Sequence, residues 1–422
     1  MTEGDNFLPT KSNGNTETQF TDGKTSFQMS IFNLSNAIMG SGILGLAYAM
    51  ANTGIILFVI LLILIALLSA YSIHLLLKTA GVVGIRAYEQ LGYRAFGPPG
   101  KILAACIITL HNIGGKIQHF TLINQRDNYL NMNMHLSYIH AFILGYLGYT
   151  SGFSLSCMVF FLISVIYKKF VTECSLEHSY NETGVTESIN NSTDDTCEAK
   201  FVTINPQTAF TIPIMAFAFV CHPEVLPIYT ELKTPNKTRM QNVANISILA
   251  MFVMYLLTAI FGYLTFYGNV KSELLEMYSK KDTLMLCVRL AVLIAVTLTV
   301  PVVLFPIRRA VLQLLFPDKP FHWVRHISIA VCLLFLVNLL VIFVPNIRDI
   351  FGFIGATSAP SLIFILPGIF YICIVPEEQE PLKSRPKIQA LVFVTLGFIF
   401  MIMSITFIII EWVTGKKTSG GH

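Results

Sequence analysis

A chain of 422 residues that is 54% hydrophobic, only 12% charged and +0.65 in mean hydropathy excludes a water-soluble globular protein and reads as an all-α, polytopic membrane protein. Its net charge of +4 lies in short basic clusters between apolar runs, the pattern of loop topology and not of a nucleic-acid partner. The polar stretch 1–23 lacks the apolar core of a cleaved signal peptide, so residues 1–25 are expected to be a cytoplasmic tail ahead of a transmembrane domain over 26–412.

From Gln28 to Leu77 no Asp, Glu, Lys or Arg occurs, and only Asn52-Thr-Gly54 divides the run. Two spans are predicted there, at 30–51 and 55–77, joined by a tight turn. Lys78, Arg86, Arg94 and Lys101 place the next segment in the cytoplasm, with Tyr88–Gly100 as a short interfacial helix closed by Gly and Pro. The apolar run 102–115 has about fourteen residues, holds His111 and Asn112 and ends in Gly114-Gly115, short of the roughly twenty residues a crossing needs. Residues 116–140 read as loop.

A span at 141–167 leads into an extracellular loop, 168–208, that holds Cys174, Cys197 and the sequons at Asn181, Asn190 and Asn191. Sequons and paired cysteines both belong to an oxidising compartment. A Cys174–Cys197 disulfide with nearby glycans is expected, the alternative being free thiols and unused sequons. Further spans are predicted at 209–229, 245–267, 284–306, 325–344, 350–374 and 388–411. With the N-terminus inside, the basic clusters fall inside and the glycan loop outside, leaving 413–422 as an extracellular tail. That parity holds with nine full spans if 102–115 does not cross.

Two spans are irregular. In the first, Gly40, Ser41 and Gly42 interrupt the apolar run, with Asn33, Ser35 and Asn36 one to two turns earlier. Glycines loosen the helix, and amides and hydroxyls are unfavourable in hydrocarbon unless they face protein, water or an ion. The stretch reads either as a broken helix with free carbonyls for a cation and a half-helix N-terminus for a carboxylate, or as a close-packed small-residue interface. In the second, Pro213, Pro223 and Pro227 interrupt 209–229, and His222 and Glu224 bring ionisable groups to it. His222 fits a hydrogen-bonded structural role or a proton relay. Two interrupted spans in corresponding positions are a pointer to a transporter's binding site. In 284–306, Thr297 and Thr299 precede Pro301, offering uncharged oxygens that suit sodium, or hydroxyls bonded back to their own helix. No Walker loop, zinc-type spacing or nucleophile elbow is present, so no enzyme is indicated.

Phe32–Leu46, Gly145–Cys157, Phe219–Pro223 and Thr297–Val303 resemble the sodium-coupled neutral amino acid transporters of the system A/system N family, within the amino acid/auxin permease group. The resemblance covers about 25–115 and 144–412. It implies a leucine-transporter-like fold of two inverted five-helix repeats plus an eleventh helix, at the plasma membrane. It further implies sodium at Asn36, Ser35 and the open first span with Thr297 and Thr299. The substrate, a small neutral amino acid such as alanine, glutamine or asparagine, is placed by Gly40, Ser41 and Gly42, facing Phe219 and His222. A pH-sensing role is implied for His422. Family members complete a third span and carry a fourth before Gly145, so 116–143 predicts an incomplete first repeat. Two readings follow: a sodium-coupled importer embedded in lipid, or a non-transporting shortened form that is retained or modulates full-length relatives.

Overall fold

The computed structural model describes residues 23–124, 147–172, 197–279, 281–315, 328–329 and 347–418. Among these the structure is helical, apart from one parallel bridge between Thr25 and Leu232. The first span is α1 (Phe27–Ile38), a 3-10 turn (Ser41–Gly45) and α2 (Leu46–Ala51). Its start is set by Ser26, whose hydroxyl accepts from the Met29 N–H at 3.3 Å. The Asn52-Thr-Gly54 turn leads into α3 (Ile55–Val83), with Gly54 at φ +77, a backbone conformation that glycine adopts without steric penalty.

Helix α4 (Tyr88–Asn124) bends at Gly97, where φ is +67, and Pro98-Pro99 opens its second arm, where a missing N–H does no harm. The short helix expected at 88–100 is its first arm. The second arm corrects the sequence reading: 102–115 is not an isolated short run, and Lys116–Asn124 is helix, not loop. At 1.5 Å per residue, the stretch from Pro98 to Asn124 extends about 40 Å, more than the roughly 30 Å hydrocarbon core. Its polar residues misled the hydropathy argument because they face protein: His111 and Asn112 are buried. Residues 125–146, where the rest of the expected loop and any fourth span fall, lie outside the described residues.

The remaining elements are α5 (Leu147–Val171), a 3-10 turn (Pro206–Phe210), α6 (Thr211–Ala218), α7 (His222–Glu231), α8 (Lys237–Phe266), α9 (Thr283–Leu315), α10 (Ile347–Pro360), π-type turns (Ser361–Ile365), α11 (Leu366–Ile374) and α12 (Arg385–Thr418). Of the span expected at 325–344 only residues 328 and 329 are described. Six helical stretches among the described residues are long and apolar enough to cross a membrane, and the first span, bent by 50°, makes up to seven.

Burial separates the centre of the bundle from its rim. In the most apolar window of Thr211–Glu231 89% of the residues are buried, against 28% in that of Arg385–Ile410. The second irregular span is therefore the axis of the bundle, and α12 is a rim helix with Leu391, Val392 and Ile402 exposed. Contact at the axis is close. A Cβ on Gly355 of α10 would lie 2.4 Å from the Pro213 carbonyl oxygen and 2.8 Å from its carbon, backbone atoms that cannot rotate away. Gly355→Ala is expected to destabilise the fold by about 1–3 kcal/mol, the usual range for overpacking. A thermal midpoint in detergent equal to that of the unsubstituted chain would contradict this packing.

The loop between α8 and α9 holds a buried acid. Glu273 is 3% exposed, and its Oε2 has no hydrogen-bond partner. Burial lifts its carboxyl to about 8, with Glu276 pushing the same way and Arg289 opposing. The folded chain thus keeps a proton that the unfolded chain releases, so stability falls as pH rises from the ordinary carboxylate range to about 8. Glu273→Gln should flatten this fall when thermal midpoints are compared between about pH 5 and about pH 8.5; an unchanged slope would show that Glu273 does not titrate in that window.

Candidate functional site

Both irregular spans are broken at mid-depth, and the breaks meet. Helix α1 ends where Met39 takes φ −68 and ψ 62, an inverse γ-turn in which the Gly40 N–H donates to the Ile38 carbonyl at 2.6 Å. Gly40 itself is extended, and the nearest atom to an added Cβ, 3.9 Å away, leaves room for one. Gly42 is different: an added Cβ would lie 3.0 Å from both Cα and Cβ of Ala218, the last residue of α6. Glycine is required at 42 by close approach of the second span.

The second break comprises Phe219, Val220 and Cys221, and α7 resumes at His222 with Pro223 in its first turn. The Phe219 carbonyl accepts from Ser69 on α3 at 3.3 Å. His222 is fully buried, and neither ring nitrogen has a hydrogen-bond partner. Nearby, His111 of α4 packs its ring on Phe217 at 4.9 Å between centroids, with Nδ1 3.1 Å from the Ser358 hydroxyl of α10. Ser358 donates its own proton to Ile354 at 2.8 Å, so His111 Nδ1–H is the donor in that pair.

Beneath the first break an oxygen cluster joins three helices. The Asn36 side-chain oxygen accepts from Thr299 of α9 at 3.1 Å, and its amide nitrogen donates to Ser151 of α5 at 3.4 Å. Ser154, one turn beyond Ser151, donates to the Ala295 carbonyl at 2.9 Å and lies 3.4 Å from the Thr299 hydroxyl. All four side chains are buried, and none carries a formal charge. Uncharged oxygens gathered away from water suit a hard monovalent cation better than imidazole or thiolate would.

The structure sorts the sequence candidates. Asn36 and Thr299 are brought together. Thr297 lies two residues from Thr299, roughly 200° around the helix, and its hydroxyl donates to Leu293 of its own helix at 2.8 Å. Ser35 is buried next to Asn36. Gly40, the Ser41 backbone and Gly42 form the first break, and Gly42 closes on Ala218, the residue before Phe219, where the second break starts; His222 opens the helix after it. Ser151 and Ser154 are additions, and the signal for them was available: two serines three apart share one face of an uncharged span. Cys197 is disulfide-bonded. Cys174, Asn181, Asn190, Asn191 and His422 lie outside the described residues.

The two broken spans are also tied at their ends. Thr25 N–H donates to Glu231 at 2.9 Å and Lys233 N–H to Thr25 at 2.8 Å, joining the chain before α1 to the end of α7. At the other end Thr203 N–H donates to Thr53 at 2.9 Å, Asn205 Nδ2 to the Asn52 side chain at 2.8 Å and Ile56 N–H to Phe201 at 3.0 Å. Each half of one broken span is thus tied to a half of the other. Nearer the basic end of α3, Lys78, Glu380 and Tyr371 form a hydrogen-bonded triad. Partial burial pushes the Glu380 carboxyl up, but its bonds to Lys78 and Tyr371 outweigh that and hold it below its ordinary value.

Comparison with known proteins agrees with this architecture. Crystal structures of two mutants of the Eremococcus coleocola manganese transporter align at a TM-score of 0.51 with 11% identity, covering 90% of this chain and 85% of theirs, a likeness of fold alone. The fold is the leucine-transporter-like helical bundle. The Danio rerio sodium-coupled neutral amino acid symporter 2 is 53% identical, across 96% of this chain and 87% of the relative. The Homo sapiens sodium-coupled neutral amino acid transporter 4 is 50% identical, across 95% of this chain and 87% of the relative. The family model for transmembrane amino acid transporter proteins matches residues 23–410. The chain therefore belongs to the transmembrane amino acid transporter protein family.

Proposed function

We propose that this protein is a sodium-coupled symporter that imports small neutral amino acids, such as alanine, glutamine and asparagine, across the plasma membrane by alternating access. The observation that carries the reading is the Asn36–Thr299 bond, which closes an uncharged oxygen cluster directly beneath the first helix break. Sodium entering among Asn36, Ser151, Ser154 and Thr299 pins α1 to α5 and α9, and so fixes the half-helix that carries the break. The amino acid's carboxylate is received by the amides of the 3-10 turn Ser41–Gly45, and its ammonium by carbonyls at the breaks. Ion and substrate then share one movable element, which is the physical basis of coupling. In this reading the N-terminus is cytoplasmic and the disulfide loop and C-terminus are extracellular, an orientation that rests on the basic clusters and sequons, because the nine-span parity no longer applies once the second arm of α4 is long enough to cross.

The long match to full carriers, 87% of each relative's length, favours transport over the reading of a non-transporting shortened form. Replacing sodium by choline while labelled alanine uptake is measured in expressing cells tests the proposal. Uptake is expected to fall to background in choline. A specific observation also keeps a proton-coupled variant testable: His222 is buried with both nitrogens unpartnered. An inward pH gradient without sodium should drive no uptake if sodium is the coupling ion.

A further inference from the structure

The two breaks share one side chain that is part of neither span. Tyr255 lies mid-way along α8 and is fully buried. Its hydroxyl is 2.7 Å from the Ile38 carbonyl oxygen and 3.0 Å from the Ala218 carbonyl oxygen, the last helical carbonyls of α1 and α6. Its ring packs edge-on against Phe219, in the second break, at 5.3 Å between centroids. Helix ends leave carbonyls without an intrahelical partner, and inside a membrane such groups need a donor. Here the Ala218 carbonyl and the Ile38 carbonyl, which also takes the Gly40 N–H at 2.6 Å, converge on a single O–H. A tyrosine hydroxyl has one proton, so it satisfies either carbonyl fully or shares the proton between them.

We propose that Tyr255 is the positioning residue that couples the two breaks, holding both hinge carbonyls on one donor while the spans are closed against each other. The proposal rests on the transport reading above. When either half-span swings, the proton goes wholly to the carbonyl that stays, so only the moving hinge gives up this donor. Because the donor sits on α8, the hinges are referenced to a common external point and open in concert. Without the hydroxyl the half-spans stay tied at their outer ends, but the two breaks are no longer held at a common point; they open out of step, and sodium crosses without its amino acid.

The test is Tyr255→Phe in the full chain, expressed in oocytes with surface density measured by biotinylation. The amino-acid-evoked current per surface carrier should fall about tenfold, while the half-saturating sodium concentration stays within about twofold and a sodium current appears without amino acid. An evoked current equal to that of the unsubstituted chain with no leak overturns the proposal; absence of sodium-dependent current in the unsubstituted chain overturns the transport reading instead. A second readout does not depend on delivery to the surface. Cys221 is a free thiol, fully buried in the second break, whereas Cys287 is exposed. In detergent, site-resolved alkylation of Cys221 relative to Cys287 should rise about tenfold in Tyr255→Phe. An unchanged ratio, or a rise at Cys221 that accompanies loss of the whole fold, makes Tyr255 an ordinary packing residue.

Discussion

Asn36→Ala is expected to raise the sodium concentration for half-maximal uptake at least tenfold, about 1.4 kcal/mol of ion binding, with little change in the amino acid affinity at saturating sodium. The substitution removes a carbonyl oxygen from the cluster and leaves the Thr299 hydroxyl without its partner on α1. The Thr299 hydroxyl keeps its bond to the Ala295 carbonyl of its own helix at 2.9 Å, so the loss is that of the Asn36 oxygen itself. Thr299→Ala should act the same way, removing one cluster oxygen. Thr297→Ala should shift sodium dependence less than twofold: both hydroxyls bond back to their own helix, but Thr299 also reaches Asn36, whereas Thr297 lies roughly 200° away around α9. Sodium titrations of alanine uptake in the three variants check the ranking. Equal shifts for Thr297 and Thr299, or none for Asn36, would remove the cluster as the ion site.

Gly42→Leu should abolish uptake while leaving the protein in the membrane. Even a Cβ at this position would press on Ala218 Cα and Cβ at 3.0 Å, and a longer side chain would wedge the breaks apart. Overpacking of this kind typically costs about 1–3 kcal/mol, enough to displace the closed state in a two-state equilibrium without unfolding the bundle. Gly40→Ala provides the contrast, since a Cβ there meets nothing closer than 3.9 Å and the backbone is extended. Gly40→Ala should retain most uptake. Surface biotinylation with alanine uptake separates the two outcomes, and a fully active Gly42→Leu would mean that the spans are not closed against each other during transport.

The sequence carried the breaks because their causes are local. Glycines at 40 and 42 and the proline at 223 flank the two breaks, whereas Pro213 and Pro227 lie inside α6 and α7 and do not interrupt them. The oxygen cluster was only half legible. Asn36 stands out as an amide in hydrocarbon, but choosing between Thr297 and Thr299 needs the rotation of α9, which hydroxyl chemistry does not encode. Tyr255 gave no sign at all, since a tyrosine within an apolar span reads as packing until the two carbonyls it reaches are known. Helix α4 was misread for a related reason: hydropathy measures fitness for lipid, and the buried His111 and Asn112 face protein instead.

Sodium-dependent uptake by the expressed chain tests the central claim most directly. Labelled alanine should accumulate in cells expressing it when sodium is present and fall to the level of control cells when choline replaces sodium. Equal accumulation in sodium and choline would contradict sodium coupling, and no accumulation above control in either, with the chain at the surface, would contradict transport itself.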